Sequence, residues 1–378
     1  MATPEQSRTN GTEDGARGGW LTPSWLWLWV VLGAATLVVV GIILFNGSSP
    51  PKPPAGELVV CSYGGSFQEA QRKAYFEGFE RETGIKVREA QWSGEYAKLK
   101  AMTATGDPEW DLVTAAESSI IVRGAREGIL EKIDYANIDR SRFFPQALTD
   151  YSVAFDYYST VLSFDTRKFP AGARPATWAD FWDAGKFGGA RALRKDPRTT
   201  LEFALLADGV PASKLYPLDV DRAFRSLDRL KQGSRVVWWA SGHQPAQLLS
   251  NGEVTMASSF NGRIWAAATH DKIPLDVSWL GGALDVDAWI IPKGAKNYKQ
   301  AMKLIEYTCR PDVQIELTKY INYGPTMPEA YNAMDPAARA VLPTSPENLD
   351  KHFFFNAEWW ADNEAAVLER WNKWLLNP

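Results

Sequence analysis

Cysteine is nearly absent: Cys61 and Cys309 are the only two in 378 residues. That excludes a disulfide framework, and neither cysteine stands in the CxxC or Cys/His spacing that would hold zinc. The two can pair in an oxidising compartment or remain buried thiols, and the sequence leaves both open. Histidine is almost as scarce, and His243, His270 and His352 are scattered outside any hydrolytic motif. Ser66, in YGGSFQ, lacks the final glycine of a nucleophile elbow, and there is no Walker or dinucleotide loop, so neither a cofactor nor a metal is expected. An excess of one charge is missing too. The 41 basic and 45 acidic residues leave a net charge of -4, without the basic stripe that nucleic acid requires. The one enzyme reading left is a secreted hydrolase using Asp285 and Asp287, an i, i+2 pair on one face of a strand, as acid and base. Such a pair is more often a cation-binding wall, or simply solvated.

What the chain does have is tryptophan, seventeen in all, and one long apolar run. Tryptophan needs a core or a site to pack against, so some of the seventeen should line a pocket. The run WLWLWVVLGAATLVVVGIILF, residues 25–45, is uncharged over about twenty-one residues, the length that crosses a bilayer as a helix. Trp20, Trp25, Trp27 and Trp29 gather at its first end, as aromatics do at a membrane interface. Its length favours a permanent anchor over a cleaved signal, whose apolar core is about 7–15 residues; cleavage near Asn46-Gly47-Ser48 stays open. Arg8 and Arg17 before the run and Lys52 after it place the N-terminus inside. The chain thus divides into a tail (1–22), a membrane segment (23–46), the proline-rich spacer GSSPPKPPAG (47–56) and a folded region held outside the membrane.

From residue 57 the pattern alternates. An apolar strand at 57–63 ends in Gly64-Gly65, a helix opens at Ser66 and closes before Gly84, and further strands are expected at 85–91 and 110–115 with a helix between them. A second alternation follows residues 153–164, and the last helix is expected over 357–375. Such a pattern builds parallel sheets with helices on their faces, here as two α/β lobes. Ligands of open sheets bind beyond the strand ends, which directs attention to Tyr63 and Ser66, to Trp92, and to Glu117 in the loop Glu117-Ser118-Ser119.

The segments PATWADFW (175–182), FGGAR (187–191), Asp196-Pro197-Arg198, NGEV (251–254), IIPKG (290–294) and Tyr323-Gly324-Pro325, in this order and spacing, resemble the spermidine/putrescine-type substrate-binding proteins of bacterial ABC importers over roughly residues 57–378. The resemblance implies a type II periplasmic-binding-protein fold. Lobe 1 would comprise 57–155 and 288–378, and lobe 2 would comprise 156–287, with crossovers near 152–164 and 285–291 and closure on ligand by hinge motion. It also implies a permease and an ATPase as partners, a periplasmic location and no catalysis.

Family polyamine sites resemble an aromatic box closed by carboxylates. The matching positions are Asp287 for the strand acid, Asp196 for the acid of the Asp-Pro-Arg stretch, and Phe260 and Tyr323 for the aromatics. Two positions depart from the pattern: Asp285 replaces its tryptophan and Thr199 its second acid. Trp239 would add another aromatic wall. Arg263 brings a permanent cation beside the site. It either pairs with Asp285 or Asp287 as structure, or faces the pocket and takes a ligand carboxylate. The leading expectation is therefore a small amine of the polyamine class, and the alternative a zwitterionic amine such as γ-aminobutyrate or an opine. A signalling receptor is disfavoured by the short tail.

Overall fold

The computed structural model describes residues 56–376. The expected membrane segment and all but the last residue of the spacer lie outside the described residues. Among the described residues no helix is long and apolar enough to cross a membrane.

Nine strands build one sheet: β1 (Glu57–Ser62), β2 (Lys86–Gln91), β3 (Leu112–Ala115), β4 (Ser152–Asp165), β5 (Arg191–Arg194), β6 (Val236–Trp239), β7 (Met256–Phe260), β8 (Leu275–Ile290) and β9 (His352–Phe354). Their order is β2-β1-β3-β8-β4-β7-β5-β6, with β9 added on β8. Composition explains the positions. The unbroken apolar runs of β1 and β3 sit inside the sheet, whereas KVREAQ of β2, alternately exposed, sits at the edge.

The central pair β4 and β8 is antiparallel, 14 and 16 residues long, so they span roughly 46 and 53 Å at ~3.3 Å per residue. Outward from this pair the same series appears twice. On one side β8 is antiparallel to β3, and β1 and β2 follow in parallel. On the other side β4 is antiparallel to β7, and β5 and β6 follow in parallel. The repeat defines two lobes that share their long strands, and it aims the strand ends of both lobes at one cleft.

Each lobe has its own core. In the first, Phe155 packs on Trp289 with ring centroids 4.4 Å apart, and Tyr75 and Phe79 join them. In the second, Trp178 stacks on Phe203 at 3.7 Å. The expected division gave everything from residue 288 onward to lobe 1, and here the structure differs. Phe353, Phe355, Trp360, Val367 and Trp371, at the chain's end, are buried in the second core. Meanwhile the outer side of the helix Ala357–Leu375 meets the first lobe through Arg123–Glu364 (3.1 Å) and Arg126–Asp362 (2.6 Å). The helix therefore bridges both lobes.

Crossover β8 begins at Leu275, ten residues before the expected start, because the apolar residues preceding Asp285 continue the same pairing with β4. The two cysteines are free. Burial pushes the Cys61 thiol up to about 12, and Cys309 is half-buried after the helix Tyr298–Thr308.

Candidate functional site

Between the lobes lies a cavity of about 310 Å³. The first lobe contributes the turn after β1. Gly64 and Gly65 both adopt left-handed backbone (φ +64° and +58°), which only glycine takes without strain, and the Gly64 N–H donates to Gln68 Oε1 at 2.9 Å. This turn presents Tyr63 and Ser66 to the cavity. The Tyr63 hydroxyl accepts the Ala116 N–H at 3.1 Å, and Trp92, whose indole donates to Thr114 O at 3.2 Å, packs on Tyr63 at 5.6 Å. The aromatic wall is thereby fixed by its polar ends.

From the second lobe come Trp239, at the end of β6, and Phe260, at the end of β7, in edge contact at 5.6 Å. Trp239 donates to Ser258 Oγ at 3.2 Å, while its neighbour Trp238 points the other way onto Trp371 and Trp374. Alternation along the strand separates the wall tryptophan from the core one. Asn261, next after β7, takes the Ser159 N–H at 2.8 Å, and a Cβ on Gly262 would stand 2.5 Å from the Tyr323 ring. These two residues lock the helix Asn261–Thr269 against β4 and Tyr323, and from its first turn Arg263 projects into the cleft.

Three arginines line the cavity. Arg194 Nη2 donates across the cleft to Glu117 Oε1 at 2.7 Å, and Arg198 binds Glu117 Oε2. Arg198 also holds Asp196 through two bonds of 2.9 and 2.7 Å. Burial alone would raise the Asp196 pKa; Arg198 and Arg194 outweigh it and hold the carboxyl at about 2. These charges cancel among themselves. Arg263 differs: its Nη1 donates to Ser66 Oγ at 2.6 Å, also across the cleft, and it makes no ion pair with a carboxylate of the described residues. The structural alternative, pairing with Asp285 or Asp287, is not what forms.

Asp287 is 2 % exposed, lines the cavity, and its Oδ1 meets no donor. Its pKa is raised, foremost by burial, with Asp285 adding to the rise and Arg263 opposing it.

Nine of the eleven expected residues thus line one cavity: Tyr63, Ser66, Trp92, Glu117, Trp239, Phe260, Arg263, Asp287 and Tyr323. Asp196 does not; Arg198 occupies it. Asp285 also lies off the main cavity, in a chamber of about 10 Å³ behind Glu117, where burial pushes it up to about 7 against hydrogen bonds from Ser118. Sequence reasoning missed Tyr158, Arg194 and Arg198. Arg198 was in view within Asp-Pro-Arg but was read for its acid; its pairing with Glu117, 81 residues away, is visible only in three dimensions.

A cleft of this design, with walls from two lobes and opposed charges on a closed aromatic frame, suits capture of a small polar solute. Residues 74–344 match the family described as bacterial extracellular solute-binding protein. This chain is a bacterial extracellular solute-binding protein. Among its relatives, the γ-aminobutyric acid-binding protein of Pseudomonas aeruginosa is 39% identical over 323 residues, covering 84% of this chain and 90% of the relative. The spermidine/putrescine-binding periplasmic protein of Escherichia coli is 28% identical over 303 residues, 77% and 83% of the two chains. Among solved structures, AgtB of A. tumefaciens R10 in complex with agropinic acid superposes with a TM-score of 0.77 at 37% identity, over 85% of this chain and 99% of that one. The solute-binding protein is accordingly the substrate-capturing component of an ABC transporter, with the two-lobed α/β fold of that class.

Proposed function

We propose that this solute-binding protein captures a zwitterionic amine, an ω-amino acid such as γ-aminobutyrate or an opine, and presents it to its permease. The observation that carries the reading is a pair of unmatched groups on one cavity. Arg263 is a cation without a carboxylate, and Asp287 is an acid without a cation. A ligand with a carboxylate for Arg263 and an ammonium for Asp287 completes both, while Phe260, Tyr323 and Trp239 cover the carbons between. A polyamine, the leading expectation from the sequence, satisfies only the acid and brings its second ammonium toward a permanent guanidinium. The greater identity to the γ-aminobutyric acid-binding relative than to the spermidine/putrescine-binding one supports the same choice.

Titration calorimetry on the full chain in detergent, with γ-aminobutyrate, putrescine and spermidine, tests it. Carboxylate-bearing amines are expected to bind, and Arg263→Ala to weaken them about 10- to 100-fold, the worth of a charge-assisted hydrogen bond. Putrescine binding more tightly than γ-aminobutyrate, unaffected by Arg263→Ala, overturns the reading. We also propose that residues 23–46 anchor the receptor in the inner membrane with the spacer 47–56 as its tether.

A further inference from the structure

Asp287 does not stand alone beneath the cavity. Its partner in register on the neighbouring strand is Asp156 of β4, just past a bulge at Ala154. Asp156 is 1 % exposed, and neither of its carboxyl oxygens, nor Oδ1 of Asp287, meets a donor. The hydroxyl of Tyr75, itself without a partner, also lies near both acids.

Two neighbouring carboxylates in a dry place repel each other and lose their hydration; nothing positive is paired to either. They are tolerable as acids, each O–H donating to the other carboxyl, which also accounts for the oxygens that no protein donor reaches. Burial raises both; Asp287 adds to the rise of Asp156, while the hydrogen bond from Asp156 works against the rise of Asp287, as expected if Asp156 is the member that keeps its proton. Around them stand Tyr63, Tyr75, Tyr158, Tyr323 and Tyr331, none ionised near neutrality, the acid Asp285, and one cation, Arg263, on the Asp287 side.

We propose that Asp156 is a second acid of the amine site: the empty pair holds two protons, and an arriving ammonium expels one of them, from Asp287, to solvent. The remaining proton stays on Asp156, whose O–H donates to the Asp287 carboxylate and steadies it against the ligand. The balance is simple. The ligand keeps its ammonium protons, the Asp287 O–H bond breaks, one proton leaves to water, and the pair carries one negative charge against one positive charge. With the ligand carboxylate on Arg263 the filled site is neutral. The inference rests on the zwitterion reading only for that last pairing, because any ammonium ligand would expel the proton.

Calorimetry with γ-aminobutyrate at pH 7.5, in buffers of differing ionisation enthalpy, counts the proton directly. His243 lines the same cavity, so the count is repeated on His243→Gln to separate any imidazole contribution. We expect release of 0.5–1 proton per ligand, roughly, and affinity rising by up to about tenfold per pH unit from pH 6 to 7.5. Asp156→Ala, which removes the supporting donor, is expected to weaken binding at least about tenfold, and Asp156→Asn, whose amide replaces that donor, to restore it with the proton count intact. A proton count of zero with a pH-independent Kd overturns the proposal, as does wild-type affinity in Asp156→Ala. If putrescine binds instead of γ-aminobutyrate, the same count is read on putrescine, so the ligand class and the acid pair fail separately.

Discussion

Glu117 is the residue on which the cleft turns. It lies in the first lobe and receives two arginines of the second, Arg194 at 2.7 Å and Arg198. All three side chains are less than one-fifth exposed. Removing one member of such a buried network leaves the others uncompensated, at a cost of several kcal/mol to the arrangement that contains them, here the closed cleft. Glu117→Gln is therefore expected to weaken ligand binding by about ten- to a hundredfold, although Glu117 is already occupied and has no free oxygen for a ligand amine. Calorimetry beside Arg263→Ala reads this, and unchanged affinity would show that the cross-cleft pairs do not hold closure. Glu117 was legible in the sequence because a strand end followed by Ser118-Ser119 marks a site loop. Its role was not, because Arg198 stood in view only beside the acid Asp196 and nothing local marked Arg194, and only the fold brings them to an acid 77 and 81 residues earlier.

The same contrast holds for elements. The helix Ala357–Leu375 was expected over those residues, and in the structure Asn356 caps it, its side chain accepting the Trp359 N–H at 2.9 Å. Its lobe was not legible, because a sequence pattern says which face is apolar and nothing about which core receives it. What receives it is built around Glu202, fully buried, whose Oε1 accepts Trp360 Nε1 at 2.7 Å and Tyr216 Oη at 2.6 Å while Oε2 has no partner. Burial, against those two hydrogen bonds, pushes Glu202 up to about 7. The sign follows directly. The folded chain holds a proton that the unfolded chain releases near pH 4.5, so stability from this group is complete below that pH and declines as pH rises to about 7. Glu202→Gln, which keeps the accepting oxygen and needs no proton, is expected to match the wild type near pH 4 and to exceed it by roughly 3 kcal/mol at pH 8. Denaturant melts at the two pH values decide it; an equal difference at both would mean that Glu202 docks the helix without titrating. The helix Asn261–Thr269 escaped notice for another reason. Its opening Asn-Gly reads as a turn, and only contact with Tyr323 explains why a glycine stands in its first turn.

At the scale of the whole molecule the α/β alternation was enough to expect two lobes, and it was correct because strand and helix periodicities survive in short windows. The sharing of the sheet was not visible. β4 and β8 pair over nearly their full lengths, so the lobes are two ends of one ribbon rather than beads on a string. The unpaired state of Cys61 and Cys309 has a further consequence for how such a receptor is made. No long-range restraint in the described residues is a disulfide; strand pairings, hydrogen bonds, ion pairs and packed cores hold the fold, so maturation needs no oxidative step and no disulfide-exchange catalyst along the export route. Chains produced with and without dithiothreitol should melt at the same temperature and bind ligand equally. A melting temperature that falls on reduction would reveal a covalent link made after folding.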